Sequence, residues 1–186
     1  MKAAYAFRLA LILVFIGGSI FFYYSSPEDL ILLVGVENAY ALMFALAFLG
    51  GLTTFSGIPY HAVLLVLASG GLNPLYLGIS AASGVMAGDA TSYYIGYSGS
   101  ALVPRRLERI LQKFCSVCLA RPRILPVLFF LYGSLVPFSN DFIVISMGLA
   151  RYPFWRVMLP LGAGNLVFNI SLAYFALYAY DLFFVI

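Results

Sequence analysis

An acidic side chain set in oily surroundings is the feature of this 186-residue chain with the clearest chemical potential. Asp89 stands about fifteen residues into an apolar stretch that begins at Pro74, with Gly84 and Gly88 before it and Tyr93 and Gly96 after it. A carboxylate near mid-membrane costs at least ~2.5 kcal/mol on insertion scales, so it persists where something pairs with it or uses it. The functional reading is a proton or cation site. The plainer one is an acid hydrogen-bonded to Ser92, Tyr93 or a neighbouring helix as structural glue. Asp141 comes second, just past Pro137-Phe138-Ser139-Asn140. There Asn140 or Asp141 reads as a helix N-cap, and the helix start is also a positive dipole end suited to an anion.

Other polar residues are sparser. Glu37-Asn38 interrupts an apolar run and reads as interfacial. His61, the only histidine, follows Pro59-Tyr60, with Ser56 just before. A lone histidine is more often structural than a relay, although imidazole titrates near neutral pH. Asp89, Asp141, Asn140, Ser56, His61 and Glu37 form the candidate substrate or proton path. Gly84-x3-Gly88 permits close helix approach. Cys115-x2-Cys118 supplies two thiolates where structural zinc needs four ligands, so no metal and no cofactor are expected. No G-x-S-x-G elbow or H-E-x-x-H motif is present. Ser56-Gly57 lacks the second-helix histidine of an intramembrane serine protease. An enzyme is not expected.

The surroundings of these residues argue for a membrane. Hydrophobic residues make up 63% of the chain and charged ones 9%, against about a quarter charged in soluble domains. Leu9–Pro27 and Val157–Tyr180 carry no charged residue, and Asn38–Gly88 carries none apart from His61. Each run reaches the roughly 20 residues that cross a ~30 Å hydrocarbon layer. They do not alternate as barrel strands do, so helices are expected. The fold class is an all-α integral membrane protein, multi-pass in the cell membrane, with about four transmembrane helices and two inverted re-entrant helical hairpins. The net charge of +3 comes mostly from one loop, and no basic patch interleaved with aromatics points to nucleic acid.

Residues 1–29 read as an N-terminal helix over 5–24, retained rather than cleaved, and a polar break at Ser25–Asp29. Residues 30–186 read as one membrane domain. In it, hairpin one covers about 48–72, broken at Gly50-Gly51, Ser56-Gly57 and Pro59. Pro74–Gly99 is a full span. A basic loop covers about 100–123. Hairpin two covers about 124–152, broken at Gly133 and Pro137, and Phe154–Ile186 is the last span. Each hairpin carries a glycine, Phe-Ser, a polar or proline turn, an apolar run, a glycine such as Gly148, and a proline before a long helix. Paired interrupted segments are a sequence pointer to a transporter site. Six of the ten basic residues lie in the loop, which marks it as cytoplasmic. Arg151 and Arg156 belong on that side, so the hairpins open to opposite faces. The orientation of Lys2 and Arg8, and whether residues 30–49 cross fully, stay open.

Gly84-x3-Gly88-Asp89-x3-Tyr93-Tyr94-Ile95-Gly96 resembles the G-x3-G-D-x3-Y-x-I-G signature of the DedA family, also called the VTT or SNARE-associated Golgi protein family. Val136–Asp141 through Gly148–Arg156 resembles its YqaA-like branch, and the similarity covers roughly residues 45–175. The resemblance implies two oppositely oriented re-entrant hairpins and a lipid scramblase or flippase for phospholipid or polyprenyl-phosphate carriers. Some members depend on the proton-motive force. Asp89 matches the motif's aspartate and Pro137 the hairpin-two proline. Ser134 and Asn140 stand where many bacterial members carry arginines, which argues against a phosphate held by hairpin arginines. The partners expected are membrane lipids and no nucleic acid, with proton coupling and a homo-oligomer left open. A structural or assembly membrane protein and a small-solute or ion transporter are the alternatives.

Overall fold

The computed structural model describes residues 35–52, 60–98, 109–110, 116, 123–137 and 139–184. The expected first helix over 5–24, most of the basic loop, Cys115, Cys118 and the tip of hairpin one with Ser56 and Pro59 lie outside these residues. The described residues are helical and contain no strand. We number the helices α1 (Val36–Leu52), α2 (Tyr60–Ser69), α3 (Pro74–Tyr97), α4 (Leu125–Leu135), α5 (Asp141–Leu149) and α6 (Phe154–Phe184). The fold is therefore all-α among the described residues. By length and composition one of these helices, α6, is suited to cross a membrane, over Phe154–Ala179. The helix α3 has the length, at 24 residues, but its glycines, serines and Asp89 leave it less apolar than the expected full span over Pro74–Gly99.

Two local expectations are corrected. Gly50-Gly51 does not break the first segment, because α1 runs through both glycines to Leu52. An added Cβ on Gly51 would lie 2.9 Å from the Val85 carbonyl oxygen and 3.2 Å from the Gly88 Cα, so the missing side chain serves helix contact. Gly133 likewise lies inside α4. Its added Cβ would lie 2.6 Å from the Leu161 carbonyl oxygen. The interruption comes later, at residues 136–140, where Pro137 has no N–H to continue a helix.

The chain builds the same unit twice. The first is α1, α2 and α3; the second is α4, a break, α5 and α6. Both second arms end in a Schellman turn, which satisfies the last carbonyls through a left-handed residue. In the first, the N–H groups of Leu72 and Gly71 donate to Leu67 and Ala68 at 3.3 and 3.1 Å. In the second, Tyr152 and Arg151 donate to Met147 and Gly148, both at 2.9 Å. Gly71 has φ 88° and Arg151 φ 52°. Each turn leads into a long helix beside a proline, with Asn73 capping α3 through its side-chain oxygen at 3.0 Å from the Leu75 nitrogen.

Packing fixes the directions. Gly78 of α3 abuts Ile170 of α6, and Gly162 of α6 abuts Met86 of α3, so these helices run antiparallel. Tyr40 meets Tyr76, and Gly51 meets Gly88, so α1 runs parallel to α3. It ends level with Gly88, well short of the end of α3. Asn140 meets Asp89 and Gly148 meets Tyr93 and Tyr97, so α5 runs parallel to α3 from its middle to its C-terminal end. Second arms cross over: α2 packs on α6 and α5 on α3. One apolar cluster joins Met43, Leu64, Leu77 and Ala173. Another joins Phe129, Val144, Met147 and Leu161. The C-terminal end of α1 and the break before α5 thus reach the same mid-height of α3, at Gly88 and Asp89.

Candidate functional site

At that mid-height three polar side chains converge from three helices. Asp89 projects from α3 and is 1% exposed. The Asn140 Nδ2 donates to Asp89 Oδ2 at 2.7 Å and lies 3.2 Å from Asn165 Oδ1. The Asn165 Nδ2 of α6 lies 3.5 Å from the same Asp89 oxygen. Both amides are buried. Among the described residues no cationic side chain bonds to Asp89. Amide donors, rather than an ion pair, accompany this acid in a low-dielectric interior where an unpartnered polar group is strongly disfavoured.

The local fold explains how Asn140 arrives there. It occupies the N-cap position of α5, as its sequence position suggests, yet its side chain makes no capping bond. It turns inward instead, forgoing about 1 kcal/mol of capping. Ser139 takes over the turn, since the Asp141 backbone N–H reaches the Ser139 Oγ at 3.3 Å. The Ser139 hydroxyl in turn donates to Asp141 Oδ2 at 2.6 Å. The Tyr132 hydroxyl of α4 donates to the Ser139 carbonyl at 3.1 Å, which ties the break together. Asp141 is 0% exposed and near enough to Asp89 for the two carboxylates to interact electrostatically.

Small residues let the backbones close around this group. An added Cβ on Gly84 would collide with the Phe44 carbonyl oxygen, and one on Gly88 would lie 2.5 Å from the Gly51 carbonyl carbon. Gly96 and Gly148 seat α5 on α3 in the same way, against Ile145 and Tyr93. Above the site, the Tyr93 hydroxyl donates to the Tyr152 carbonyl at 2.6 Å and fastens the second Schellman turn to α3.

Of the residues singled out in the sequence, Asp89, Asn140 and Asp141 are brought together. Ser56 lies outside the described residues. His61 makes ring contacts with Tyr60 at 3.9 Å and Phe168 at 5.6 Å, and the hydrogen bonds of Asp89 go to Asn140 and Asn165 instead. Glu37 falls in the first turn of α1, at the end of the bundle where Tyr40 meets Tyr76, so it is remote from Asp89. Its distance follows from α1 running parallel to α3.

Three contributors escape a search for charge. Asn165 and Asn169 lie one turn apart on α6, with the Asn169 Nδ2 donating to the Asn165 carbonyl at 2.8 Å. Both are buried. The third, Ser139, reads as part of a turn. The available signal was a pair of amides at i and i+4 in an otherwise apolar helix, and the match of Gly164-Asn165 to Gly88-Asp89. Among the described residues no group of three or more His, Cys, Asp and Glu side chains could hold a metal. Comparison with protein-family models, with characterised proteins and with solved structures finds no match to this chain.

Proposed function

We propose that the chain is a multi-pass membrane transport protein, a lipid scramblase or flippase of DedA/VTT type that acts on phospholipid or polyprenyl-phosphate lipids. The helix pairs α1–α2 and α4–α5 are then re-entrant hairpins that enter from opposite faces, with α3 and α6 as spans. The observation that carries this reading is the turn of Asn140 away from its cap and onto Asp89. It joins both units in one polar group inside an apolar protein. A lipid headgroup crossing the bilayer needs polar contacts at that depth, while its tails can stay in the hydrocarbon.

The exterior supports the membrane setting. Leu128, Leu135, Leu159, Val167 and Phe175 are large, apolar and exposed, a surface that water tolerates poorly when contiguous. The exposed tyrosine and tryptophan side chains among the described residues gather at two levels. Tyr76, Tyr174 and Tyr178 lie at one end, and Tyr94, Tyr97 and Trp155 at the other. From Tyr76 to Tyr97 is roughly 31 Å along α3 at the usual helical rise, close to the ~30 Å hydrocarbon thickness. Aromatic belts mark the two membrane interfaces, and Asp89 falls between them.

The test is reconstitution of the full chain in vesicles containing a headgroup-labelled phospholipid, followed by a membrane-impermeant quencher. Quenching of the inner-leaflet label in protein-containing vesicles supports the reading. Retention of that label in its original leaflet overturns scrambling. Measuring solute flux in the same vesicles separates a small-solute or ion carrier. The mutual pairing of Asp89, Asn140 and Asn165 also favours a second reading, a structural clasp in a non-transporting assembly protein. On that reading Asp89→Asn leaves lipid movement unchanged.

A further inference from the structure

The two Schellman turns are built alike but differ at their left-handed residue. The first uses Gly71, for which this conformation is natural, and the second uses Arg151. Bulky side chains rarely adopt such backbone angles, and an observed outlier of this kind points toward function. The Arg151 guanidinium carbon lies 5.4 Å from the centre of the Tyr97 ring, which holds the side chain against α3. Arg151 remains exposed, and Arg156 is exposed in the first turn of α6. Arg123, also exposed, precedes by two residues Leu125, which packs in the same cluster as Tyr152 and Val157. Among the described residues no carboxylate pairs with Arg151. Tyr94 and Trp155 stand exposed beside these arginines, with Phe154 between them through ring contacts at 5.5 and 5.0 Å.

We propose that the Arg151 turn, with Arg156 and the exposed Trp155, is a docking site for the phosphate of an anionic membrane lipid. The charge is complementary, because a guanidinium fork matches phosphate oxygens. The level is right as well, since aromatic side chains at a bilayer surface sit among headgroups. The opposite end of the bundle, around Tyr76, Tyr174 and Tyr178, has aromatics without a described arginine. Among the described residues the site is thus one-sided, and it would gather anionic lipid at the face where α5 ends. This inference rests on the membrane reading above and adds a headgroup class and a side.

Trp155 is the only tryptophan in the chain and reports from the site itself. The full chain is reconstituted in phosphatidylcholine vesicles carrying a fixed minor fraction of brominated phosphatidylglycerol or of brominated phosphatidylcholine. The expected result is stronger quenching of Trp155 by the anionic lipid, with a local enrichment of about fivefold per arginine engaged. Arg151→Gly, which the Gly71 turn shows to be compatible with this geometry, should remove most of that preference. Arg156→Gln should remove part of it. Equal quenching by both lipids in the unaltered protein overturns the docking site while leaving the membrane reading intact. Absence of quenching by either lipid overturns the membrane reading beneath it. Loss of the anionic preference on adding inorganic phosphate at constant ionic strength overturns the lipid assignment in favour of a soluble phosphate.

Discussion

Asn140 and Asp89, 51 positions apart in sequence, share a hydrogen bond of 2.7 Å inside the bundle. Asn140→Ala leaves Asp89 with Asn165 at 3.5 Å as its remaining amide donor. Loss of one partner of a buried polar pair costs about 1–3 kcal/mol, more where the group is charged. The expected outcome is a lower midpoint of thermal unfolding in detergent. Asn140→Asp, which adds a second acceptor beside the first, should lower it further near neutral pH than in mild acid.

Asp89→Asn preserves shape and keeps an acceptor for Asn140, so the fold should survive with a small change in unfolding midpoint. On the proposed function, labelled-lipid movement falls by at least about tenfold, equivalent to ~1.4 kcal/mol of barrier. Asp89→Leu should lower both stability and transport. Unchanged lipid movement in Asp89→Asn selects the clasp reading instead.

Tyr93→Phe removes the hydroxyl that reaches the Tyr152 carbonyl at 2.6 Å. The ring contacts of Tyr93 with Phe154 at 5.2 Å persist. A net loss of about 1 kcal/mol is expected, read as faster hydrogen exchange at the turn around Arg151 and Tyr152. Unaltered exchange there would mean the hydroxyl bond does not fasten the turn.

The two left-handed positions respond differently to substitution. Gly71→Ala meets no atom within 4 Å, so its penalty is that of the backbone angle alone, about 1 kcal/mol. Arg151→Gly relieves a similar strain but forfeits the stack on Tyr97, worth roughly 0.5–1 kcal/mol at an exposed site. Its net effect on the unfolding midpoint should be near zero. A large drop would show that Arg151 supports the turn by contacts beyond that stack.

The parts of the site that carry charge or break a helix were legible in the sequence. Asp89 stood out against its apolar neighbours, and Pro137 marked the break before Asp141 because proline cannot extend a helix. What charge scanning misses is the neutral half of the group: Asn165 and Asn169 lie in a stretch free of charged residues, yet their amides are buried. Glycine was ambiguous for a physical reason. The same residue loosens a helix and lets another approach, and at Gly133 and Gly51 the second effect dominates. Glu37 is set apart from Asp89 by the direction of α1, and His61 makes ring contacts with Tyr60 and Phe168 rather than a bond to Asp89, neither of which periodicity reveals.

The crossing of α2 onto α6 and of α5 onto α3 has a consequence for how the protein comes into being. Neither half can complete its own interior, because the amides for Asp89 and the seat for each returning arm are supplied by the other. Severed between residues 98 and 123, each fragment would be left with an exposed acid or an unseated helix and would be a target for degradation. Produced together, the fragments should reassemble, since α5 packs directly on α3 and α2 directly on α6. The second half thus supplies what the first lacks, and the site is complete only once α6 has packed against α3.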